Sequence, residues 1–255
     1  MRKVLIANRG EIAVRIIRTL KEMNIASVAV YSSGDKNSLH VALADEAYCI
    51  GGPKSADSYL NIDNILQAAL MSKADAVHPG YGFLSETPEF AERTEELGLI
   101  FIGPSPETMA KMGNKSMARQ TMEGAGVPVI PGSDGIVESK AEVKELAAEI
   151  KYPVVIKAVS GGGGKGMRFA HSDEDVDKLY DEAKKEARSS FNDDRLYLEK
   201  YIPEARHIEI QVIGDGRGGA IHLFERDCSI QRNNQKLLEE APATILSDSE
   251  RAEIT

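Results

Sequence analysis

Two observations predict an α/β protein that opens with a parallel sheet. Short apolar runs typical of buried strands alternate with segments whose apolar residues recur every three or four positions, as in helices that pack on a sheet. Residues 3–7 form the first such strand, and the helix that follows from Glu11 carries one apolar stripe, formed by Ile12, Ile16, Leu20 and Met23. Elements that alternate at this spacing indicate a doubly wound parallel sheet. With 255 residues, the chain can bury one large core or two smaller ones.

The same alternation continues through the first hundred residues. Strands are predicted at residues 27–31, 48–50, 75–78 and 99–103, and helices at residues 41–44, 61–71 and 88–97. The first strand-to-helix turn contains a single glycine, Gly10, which argues against a dinucleotide-binding fingerprint. Pro104 and Pro106 end this region. A helical region follows, which residues 113–115 interrupt. A linker is predicted there, and Asn114 caps a helix at residues 115–123.

The composition excludes several classes of partner. The formal net charge is -9, which disfavours a nucleic-acid surface and leaves bound anions to local lysines. Cys49 and Cys228 match neither a zinc spacing nor a redox spacing and are expected to be reduced thiols. The N-terminal apolar run is too short for a signal peptide, and no run approaches the length of a membrane span. A cytoplasmic protein is expected.

The strongest functional signal is the glycine-rich stretch at residues 154–167, VVIKAVSGGGGKGM. Backbone N–H groups freed by the glycines, together with Lys157 and Lys165, predict a cradle for a polyphosphate, although a flexible hairpin loop is the alternative. The stretch is neither a dinucleotide fingerprint nor a Walker A loop, because a strand-like segment follows it and no Gly-Lys-Ser/Thr is present. The glycines are therefore predicted to form the tip of a hairpin, a flap over a nucleotide as in kinases and grasp-type ligases.

Two polar loops, which we call the edge loops, lie at the carboxyl ends of predicted strands, where open α/β sheets bind ligands. They are residues 8–11, NRGE, and residues 78–86, HPGYGFLSE. The second loop carries an imidazole, a phenol, two glycines and a carboxylate. Either it contributes to a ligand site, or it only shapes a turn in which Tyr81 and Phe83 cover the end of the sheet.

The C-terminal half is predicted to mix helices with antiparallel strands. Helices are expected at residues 143–150 and from Ser172 or Asp173 onward, and strands at residues 196–202, 207–213 and 220–225. His207, Glu209 and Gln211 share one strand face, which makes either a ligand wall or an ordinary wet face. Residues 226–236 are so polar that a long loop is expected there. Residues 247–250 start a capping box, but the five residues that follow are too few for a stable helix, so an unstructured tail or a truncated domain is expected.

Seven motifs run in order along essentially the whole chain: VLIANRGEIAVR, HPGYGFLSE, FIGP, IKAVSGGGGKGM, LEKYI, RHIEIQV and ERDCSIQR. Together they resemble biotin carboxylase, the ATP-grasp component of biotin-dependent carboxylases such as acetyl-CoA carboxylase. The resemblance implies a Rossmann-like parallel sheet in an N-terminal domain at residues 1–112. It further implies a linker helix and an α+β ATP-grasp lid domain at residues 113–203, and the truncated start of an antiparallel-sheet ATP-grasp domain at residues 204–255.

The resemblance also implies the roles of individual residues. The implied nucleotide contacts are Lys115 and Lys157 at the phosphates; Gly161, Gly162, Gly163, Gly164, Lys165, Gly166 and Met167 in the flap; Glu199, Lys200, Tyr201 and Ile202 in the adenine-binding hinge; and His207, Gln231 and Asn234 along the ribose and phosphates. Lys236 corresponds to the family's bicarbonate-binding lysine, and Glu86 is taken as the second catalytic residue. Tyr81 and Gly82 lie near the biotin and bicarbonate end. Many members have arginine and histidine where this chain has Asn233 and Asn234.

The implied chemistry is phosphoryl transfer from MgATP to bicarbonate, which gives carboxyphosphate, followed by carboxylation of biotin on its carrier protein. This is the first half-reaction of acetyl-CoA carboxylase in fatty acid synthesis, with a carboxyltransferase as the further partner and a homodimer at full length. The Mg²⁺ ligands are expected beyond Thr255, so these 255 residues are expected to bind nucleotide without turnover. The alternatives are the biotin carboxylase domain of a pyruvate or propionyl-CoA carboxylase, a carbamoyl-phosphate-type synthetase, and a non-catalytic nucleotide-binding fragment.

Overall fold

The computed structural model describes residues 1–160, 166–232 and 235–255, and within these ranges it describes every side chain except those of residues 115 and 116. The chain folds into two compact units, Met1–Val127 and Pro128–Thr255, which we call the N-terminal and C-terminal units. The finer division at residues 112 and 203 stays a prediction. No helix in the described part of the chain is long and apolar enough to cross a bilayer.

The N-terminal unit contains a five-stranded parallel sheet. Its strands are β1 (Lys3–Ile6), β2 (Ala26–Tyr31), β3 (Glu46–Cys49), β4 (Ala76–His78) and β5 (Ile100–Phe101). Its helices are α1 (Gly10–Glu22), α2 (Leu39–Leu43), α3 (Ile62–Met71), α4 (Pro88–Glu96), α5 (Pro106–Gly113) and α6 (Lys115–Gly124). The strand order is β3-β2-β1-β4-β5, so the order reverses between β1 and β4. Such a switch point is where open α/β sheets bind ligands, and the two edge loops follow these two strands.

Helices cover both faces of this sheet, as the sequence predicts. Along β1 the side chain of Leu5 joins one buried cluster, with α3 and α4, whereas Val4 and Ile6 join another, with α1. Strands buried on both faces show continuous apolar runs rather than alternation, which explains the sequence of β1. The predicted doubly wound α/β fold is therefore confirmed. Helix α5 occupies the helical region expected between Pro106 and the interruption at residues 113–115.

The C-terminal unit contains two antiparallel sheets. Strands β6 (Val154–Ala158), β7 (Met167–Ala170) and β8 (Leu196–Lys200) form the first sheet in the order β7-β6-β8, and α7 (Lys140–Ile150) and α8 (Asp173–Phe191) share its buried core. Strands β9 (Ile208–Gly214), β10 (Ala220–Arg232) and β11 (Gln235–Glu240) form the second sheet in the order β11-β10-β9. Strands β6 and β7 pair antiparallel up to Lys157 and Met167, as the predicted hairpin requires, whereas the glycines predicted at its tip, residues 161–164, lie outside the described residues.

Two predictions for the C-terminal region are wrong. A polar loop was expected at residues 226–236, but the described residues of this range are strand, because β10 continues to Arg232 and β11 begins at Gln235. Polar side chains are tolerated there since they find partners across the sheet, as Arg226 does with Glu209. The tail is not unstructured either. A capping box of Ser247 and Glu250 starts helix α9 (Asp248–Ile254), and Arg251 of that helix donates to Glu225 at 2.8 Å.

Candidate functional site

The two edge loops form one structure at the switch point of the parallel sheet. Strands β1 and β4 are hydrogen-bonded in register, with Ile6 opposite His78, so both loops leave the same edge. Asn8, only 3% exposed, donates from Nδ2 to the carbonyl oxygens of Pro79 and Tyr81, both at 2.8 Å. The Tyr81 phenol donates to a carboxylate oxygen of Glu11. The first loop therefore fixes the backbone of the second.

Within the second edge loop the two aromatic residues take different positions. Phe83 stacks on Tyr59 with ring centroids 5.1 Å apart, and the Arg9 guanidinium lies 5.7 Å from the Phe83 ring. Tyr81 instead remains 61% exposed. Phe83 thus packs at the end of the sheet, as one alternative held, whereas Tyr81 does not cover it, and a ligand site at this loop stays a prediction. Gly82 and Glu86 are also exposed.

His78 opens the second edge loop as a neutral imidazole. Its Nδ1 accepts a hydrogen bond from the backbone N–H of Gly80 at 3.0 Å. Burial lowers the pKa of His78, which favours the uncharged form. The ring therefore supports the loop near neutral pH as a hydrogen-bond acceptor rather than as a cation.

Lys157 and Glu199 form an ion pair on the first sheet of the C-terminal unit. Lys157 lies on β6 and Glu199 on the neighbouring strand β8, and the lysine Nζ donates to Glu199 Oε2. Both side chains are partly exposed. The pair thus presents a cation and a carboxylate next to the base of the glycine hairpin, which is the position that the sequence predicts for a phosphate-binding lysine.

At that base, Gly166 occupies a backbone conformation that favours glycine. Its φ is +71°, and a Cβ added there would lie 2.7 Å from Ala158 Cβ. Its N–H donates to Glu186 Oε2 at 3.0 Å, and its carbonyl accepts from Ala158 N at 3.0 Å. Met167 follows as the half-buried first residue of β7. The remaining predicted phosphate contacts lie outside the described residues: Gly161, Gly162, Gly163, Gly164, Lys165, Asn233, Asn234 and the side chain of Lys115.

The predicted adenine hinge follows β8, and most of its groups are used to hold the segment in place. Lys200 Nζ donates to the carbonyl oxygens of Lys151 and Tyr152, both at 2.9 Å. The Tyr201 ring packs against Phe169 with centroids 4.6 Å apart. Ile202 is exposed. The Lys200 ammonium therefore acts within the protein, and Ile202 offers an apolar surface.

A group of charged side chains that we call the ionic face covers one side of the second sheet. It consists of Glu209, Arg226, Lys236 and Glu239. Arg226 Nε lies 3.0 Å from Glu209 Oε1 and 3.5 Å from Glu239 Oε2, and Lys236 Nζ donates to Glu209 Oε2. The pKa of Glu209 is lowered to about 2, mainly by the hydrogen bond from the Lys236 ammonium and to a smaller extent by Arg226. Glu209 in turn raises the pKa of Lys236, so this lysine stays charged.

Glu209 and Arg226 are functional candidates that sequence reasoning did not assign. The available signal was the row of polar residues at 207, 209 and 211, which the structure confirms as one face because Arg226 also donates to Gln211 at 3.1 Å. Glu209, Cys228 and Glu239 bring potential metal ligands within 4.8 Å of one another. Arg226 and Lys236 already neutralise these carboxylates, so the group does not fit Mg²⁺.

Next to the ionic face lies a cleft of about 460 Å³, lined by Ala205, Arg206, His207, Ile208, Ser229 and Gln231. His207 Nδ1 is 3.0 Å from Gln231 Nε2, so two predicted nucleotide contacts meet there. His207 Nε2 also lies 3.4 Å from Glu209 Oε2. The cleft and the ionic face are therefore continuous, which brings Lys236 close to the predicted ribose and phosphate contacts.

Comparison with known families identifies the class of protein. Residues 114–255 match the carbamoyl-phosphate synthase L chain, ATP binding domain, and residues 1–109 match the biotin carboxylase, N-terminal domain. The fold and the larger match define an ATP-binding protein of the ATP-grasp class. The succession of the two domains is more specific, and the chain belongs to the biotin carboxylase family.

Individual relatives agree with this assignment. Biotin carboxylase of Nostoc sp. is 57% identical over 249 residues, which cover 98% of this chain and 56% of that protein. The biotin carboxylase-beta-gamma-ATP complex from Campylobacter jejuni has a TM-score of 0.90 at 51% identity, covering 99% of this chain and 57% of that one. The biotin carboxylase domain of Hydrogenobacter thermophilus 2-oxoglutarate carboxylase has a TM-score of 0.86 at 49% identity, covering 99% and 55%. The chain spans about half the length of the curated relatives it matches.

Proposed function

We propose that the protein carrying this chain is an ATP-dependent ligase that carboxylates biotin with bicarbonate, through carboxyphosphate. The single observation that supports this most directly is the ionic face, where Lys236 is held charged by Glu209 beside a cleft that contains His207 and Gln231. A fixed cation next to a nucleotide cleft is suited to hold a small anion against the terminal phosphate.

In the proposed reaction, a bicarbonate oxygen attacks the γ-phosphorus of ATP while the bond from that phosphorus to the ADP oxygen breaks. The carboxyphosphate then gives its carboxyl group to a ring nitrogen of biotin, which loses its proton, and inorganic phosphate leaves. Lys236 would orient bicarbonate, and Lys157 and the flap would neutralise the polyphosphate. Mg²⁺ would supply further charge neutralisation, but the carboxylates of the ionic face do not fit it, so we assign no Mg²⁺ ligand to them.

The remaining site assignments are part of the same proposal. Lys115 and residues 161–167 would bind the phosphates, Glu199 and the hinge through Ile202 would bind adenine, and Asn234 would lie with His207 and Gln231 along the ribose. Tyr81 and Gly82, exposed at the switch point, would lie at the biotin end with Glu86. Related structures support the ligands, since that from Campylobacter jejuni is a beta-gamma-ATP complex and the Hydrogenobacter thermophilus dimer is in complex with MgADP and bicarbonate.

We further propose that the biotin is bound to a carrier protein, that a carboxyltransferase consumes the product, and that the full-length protein is a homodimer in the cytoplasm. An acetyl-CoA carboxylase in fatty acid synthesis is the parent enzyme we favour. A pyruvate, propionyl-CoA or 2-oxoglutarate carboxylase is the alternative, because relatives at about half identity include 2-oxoglutarate carboxylase and pyruvate carboxylase. Carboxylation of each acid or its CoA ester by the assembled complex distinguishes these parents.

The test of the main proposal is phosphate release from ATP by the full-length protein that carries this sequence. Biotin carboxylation predicts release that requires bicarbonate and rises with free biotin. A carbamoyl-phosphate-type ligase, the second candidate because of the ATP-binding-domain match, predicts stimulation by ammonia instead. Nucleotide binding without release under either condition would refute both enzymes and leave a binding module.

A further inference from the structure

Asn8 belongs to the first edge loop, but both donor positions of its side chain are used on the second edge loop. Its Nδ2 uses both N–H bonds, one to the Pro79 carbonyl and one to the Tyr81 carbonyl, and its Oδ1 accepts from the Arg9 backbone N–H at 2.9 Å. Both donor positions and one of the two acceptor positions of this nearly buried amide are thus occupied. The side chain is a rigid brace between the two edge loops.

The second edge loop is shaped to receive this brace. Gly80 lies between the two accepting residues with φ +66°, and a Cβ there would lie 2.8 Å from Asn8 Nδ2 and 3.1 Å from Asn8 Cβ. Only glycine allows both the left-handed backbone and the close approach of the amide. Gly82 also has a positive φ, +67°, but a Cβ there would meet nothing within 4 Å. The close contact therefore belongs to Gly80 and Asn8.

We propose that Asn8 is a positioning residue for the biotin step. It holds the carbonyls on both sides of Gly80 and thereby fixes the positions in which Tyr81 and Gly82 contact biotin. This inference rests on the proposed function. Asn8 does not touch the reacting atoms and acts through the loop alone.

Burial decides between Asn8 and the other contact that holds Tyr81. Glu11 accepts from the Tyr81 hydroxyl, but Tyr81 is largely exposed, and a hydrogen bond that competes with water contributes little to positioning. The Asn8 amide is shielded from water, so its loss leaves the buried Pro79 carbonyl and the partly buried Tyr81 carbonyl without their donor. Asn8 is therefore the main support of the loop, and Glu11 adjusts only the phenol.

The first experiment compares Asn8→Asp with Asn64→Asp in the full-length protein. The aspartate keeps the shape and the acceptor but replaces two donated hydrogen bonds by repulsion from two carbonyl oxygens. Asn64 is the matched control, because its Nδ2 also donates to a backbone carbonyl in the same unit, that of Ile50 at 2.8 Å. We expect Asn8→Asp to lower kcat/KM for free biotin by about tenfold to a hundredfold, with the KM for ATP within about twofold.

The same variants are compared by hydrogen exchange, which does not depend on activity. Asn8→Asp should speed exchange of the backbone amides of residues 80–83 by at least about tenfold, whereas Asn64→Asp should leave this segment unchanged. Faster exchange together with lower kcat/KM for biotin supports the inference. Faster exchange with unchanged kcat/KM, or slower turnover with unchanged exchange, overturns it.

A second pair of variants keeps the inference testable if Asn8→Asp fails to fold. Gly80→Ala and Gly98→Ala place the same methyl group at glycines of similar φ, +66° and +73°, in the same unit. At Gly98 the methyl group meets nothing within 4 Å, so this variant measures backbone strain alone. We expect only Gly80→Ala to lower kcat/KM for biotin, and equal effects of both variants would overturn the inference. Wild-type protein without biotin-dependent turnover would refute the proposed function itself, and hydrogen exchange distinguishes that failure from loss of the brace.

Discussion

The edge loops of the N-terminal unit and the ionic face of the C-terminal unit are both candidate functional surfaces, but different forces hold them. Contacts between uncharged groups, buried or partly buried, are the main support of the edge loops: the Asn8 amide on two carbonyls, and Phe83 on the Tyr59 ring. Charge holds the ionic face, where Arg226 and Lys236 share the carboxylate of Glu209 on a partly exposed strand surface. Contacts of the first kind depend on shape, and those of the second kind depend on pH and salt.

The comparison predicts that the edge loops and the ionic face serve different ligands. An uncharged ligand such as biotin needs a surface of defined shape, which buried hydrogen bonds and ring packing supply. Under the proposed function, bicarbonate and phosphate need a fixed positive charge, and Glu209 would keep Lys236 charged and in place for them. Changes that remove charge should therefore act on the anionic substrates, and changes that remove shape should act on biotin.

The largest effect is expected from Lys236→Met, which removes the cation assigned to bicarbonate. Loss of one transition-state donor of this kind commonly costs about 10²–10³-fold in turnover. We expect bicarbonate-dependent phosphate release by the full-length protein to fall by at least that factor, with the dissociation constant for ATP, measured by calorimetry, within about twofold.

Lys144→Met is the matched control for Lys236→Met. Lys144 also belongs to an ion pair, with Asp177 at 2.9 Å, but this pair joins α7 to α8 on the protein surface. Such exposed pairs contribute little, so turnover should be unchanged. If Lys236→Met weakened ATP binding as strongly as it slowed turnover, Lys236 would be a nucleotide contact and the bicarbonate assignment would be wrong.

The same comparison shows what sequence reasoning can reach. The edge loops were found because glycine, proline and polar residues interrupt apolar strands at the edge where parallel strands end. Gly80 and Gly82 can be read directly from the sequence, and the alternation of elements predicts the parallel, doubly wound sheet, but not its strand order. The brace formed by Asn8 was not found, because its partners are the backbone oxygens of residues 71 and 73 positions away.

The ionic face was hidden for the opposite reason. Residues 226–236 are polar, and a polar run without partners predicts a loop, yet strand preference depends on what lies across the sheet. Arg226 is tolerated in β10 because it donates hydrogen bonds to Glu209 and Gln211 on β9. Asp227 is tolerated there because it accepts a hydrogen bond from Arg206. Pairing of this kind joins distant parts of the chain. Lys236 could therefore be assigned only through a family resemblance.

A medium effect is expected from Glu209→Gln, through acid stability. The pKa of Glu209 is about 2 in the fold against 4.5 for an ordinary glutamate, so the unfolded chain binds more protons between these values. Its contribution is complete above about pH 4.5 and is lost as the pH falls toward 2. We expect the variant to be less stable at pH 7 by about 2 kcal/mol, a difference that shrinks in acid and in high salt.

Denaturant unfolding from pH 2 to 7 measures this difference, with Glu107→Gln as the control. Glu107 also has a lowered pKa, because it accepts from Lys111, but the pair is fully exposed on one helix. Its variant should match the wild type at every pH. A stability difference for Glu209→Gln that persisted unchanged at pH 2 would show that shape rather than charge holds the ionic face.

The smallest effect is expected from Tyr59→Phe, at the opposite end of the pH scale. Tyr59 is 1% exposed, donates to Asp35 at 2.7 Å and accepts from the Ser32 backbone N–H at 3.0 Å. The pKa of Tyr59 is raised from the usual value of 10 to about 12, mainly by burial and to a smaller extent by the hydrogen bond to Asp35. Its contribution is therefore complete below about pH 10 and is lost as the pH rises through 12. The variant keeps the ring on Phe83 and loses only the hydroxyl, so we expect a cost of about 1 kcal/mol at pH 8 that shrinks toward pH 12.

Denaturant unfolding from pH 8 to 12 measures this cost, and hydrogen exchange at the Ser32 amide shows where in the fold it arises. Tyr197→Phe is the control. Burial and, to a smaller extent, Glu199 raise the pKa of Tyr197 to about 12 as well, but this residue lies in the C-terminal unit. Tyr197→Phe should leave the Ser32 amide unchanged. If the Tyr59→Phe cost instead stayed constant up to pH 12, the hydroxyl would not titrate in this window, and the expected loss of its contribution at high pH would be wrong.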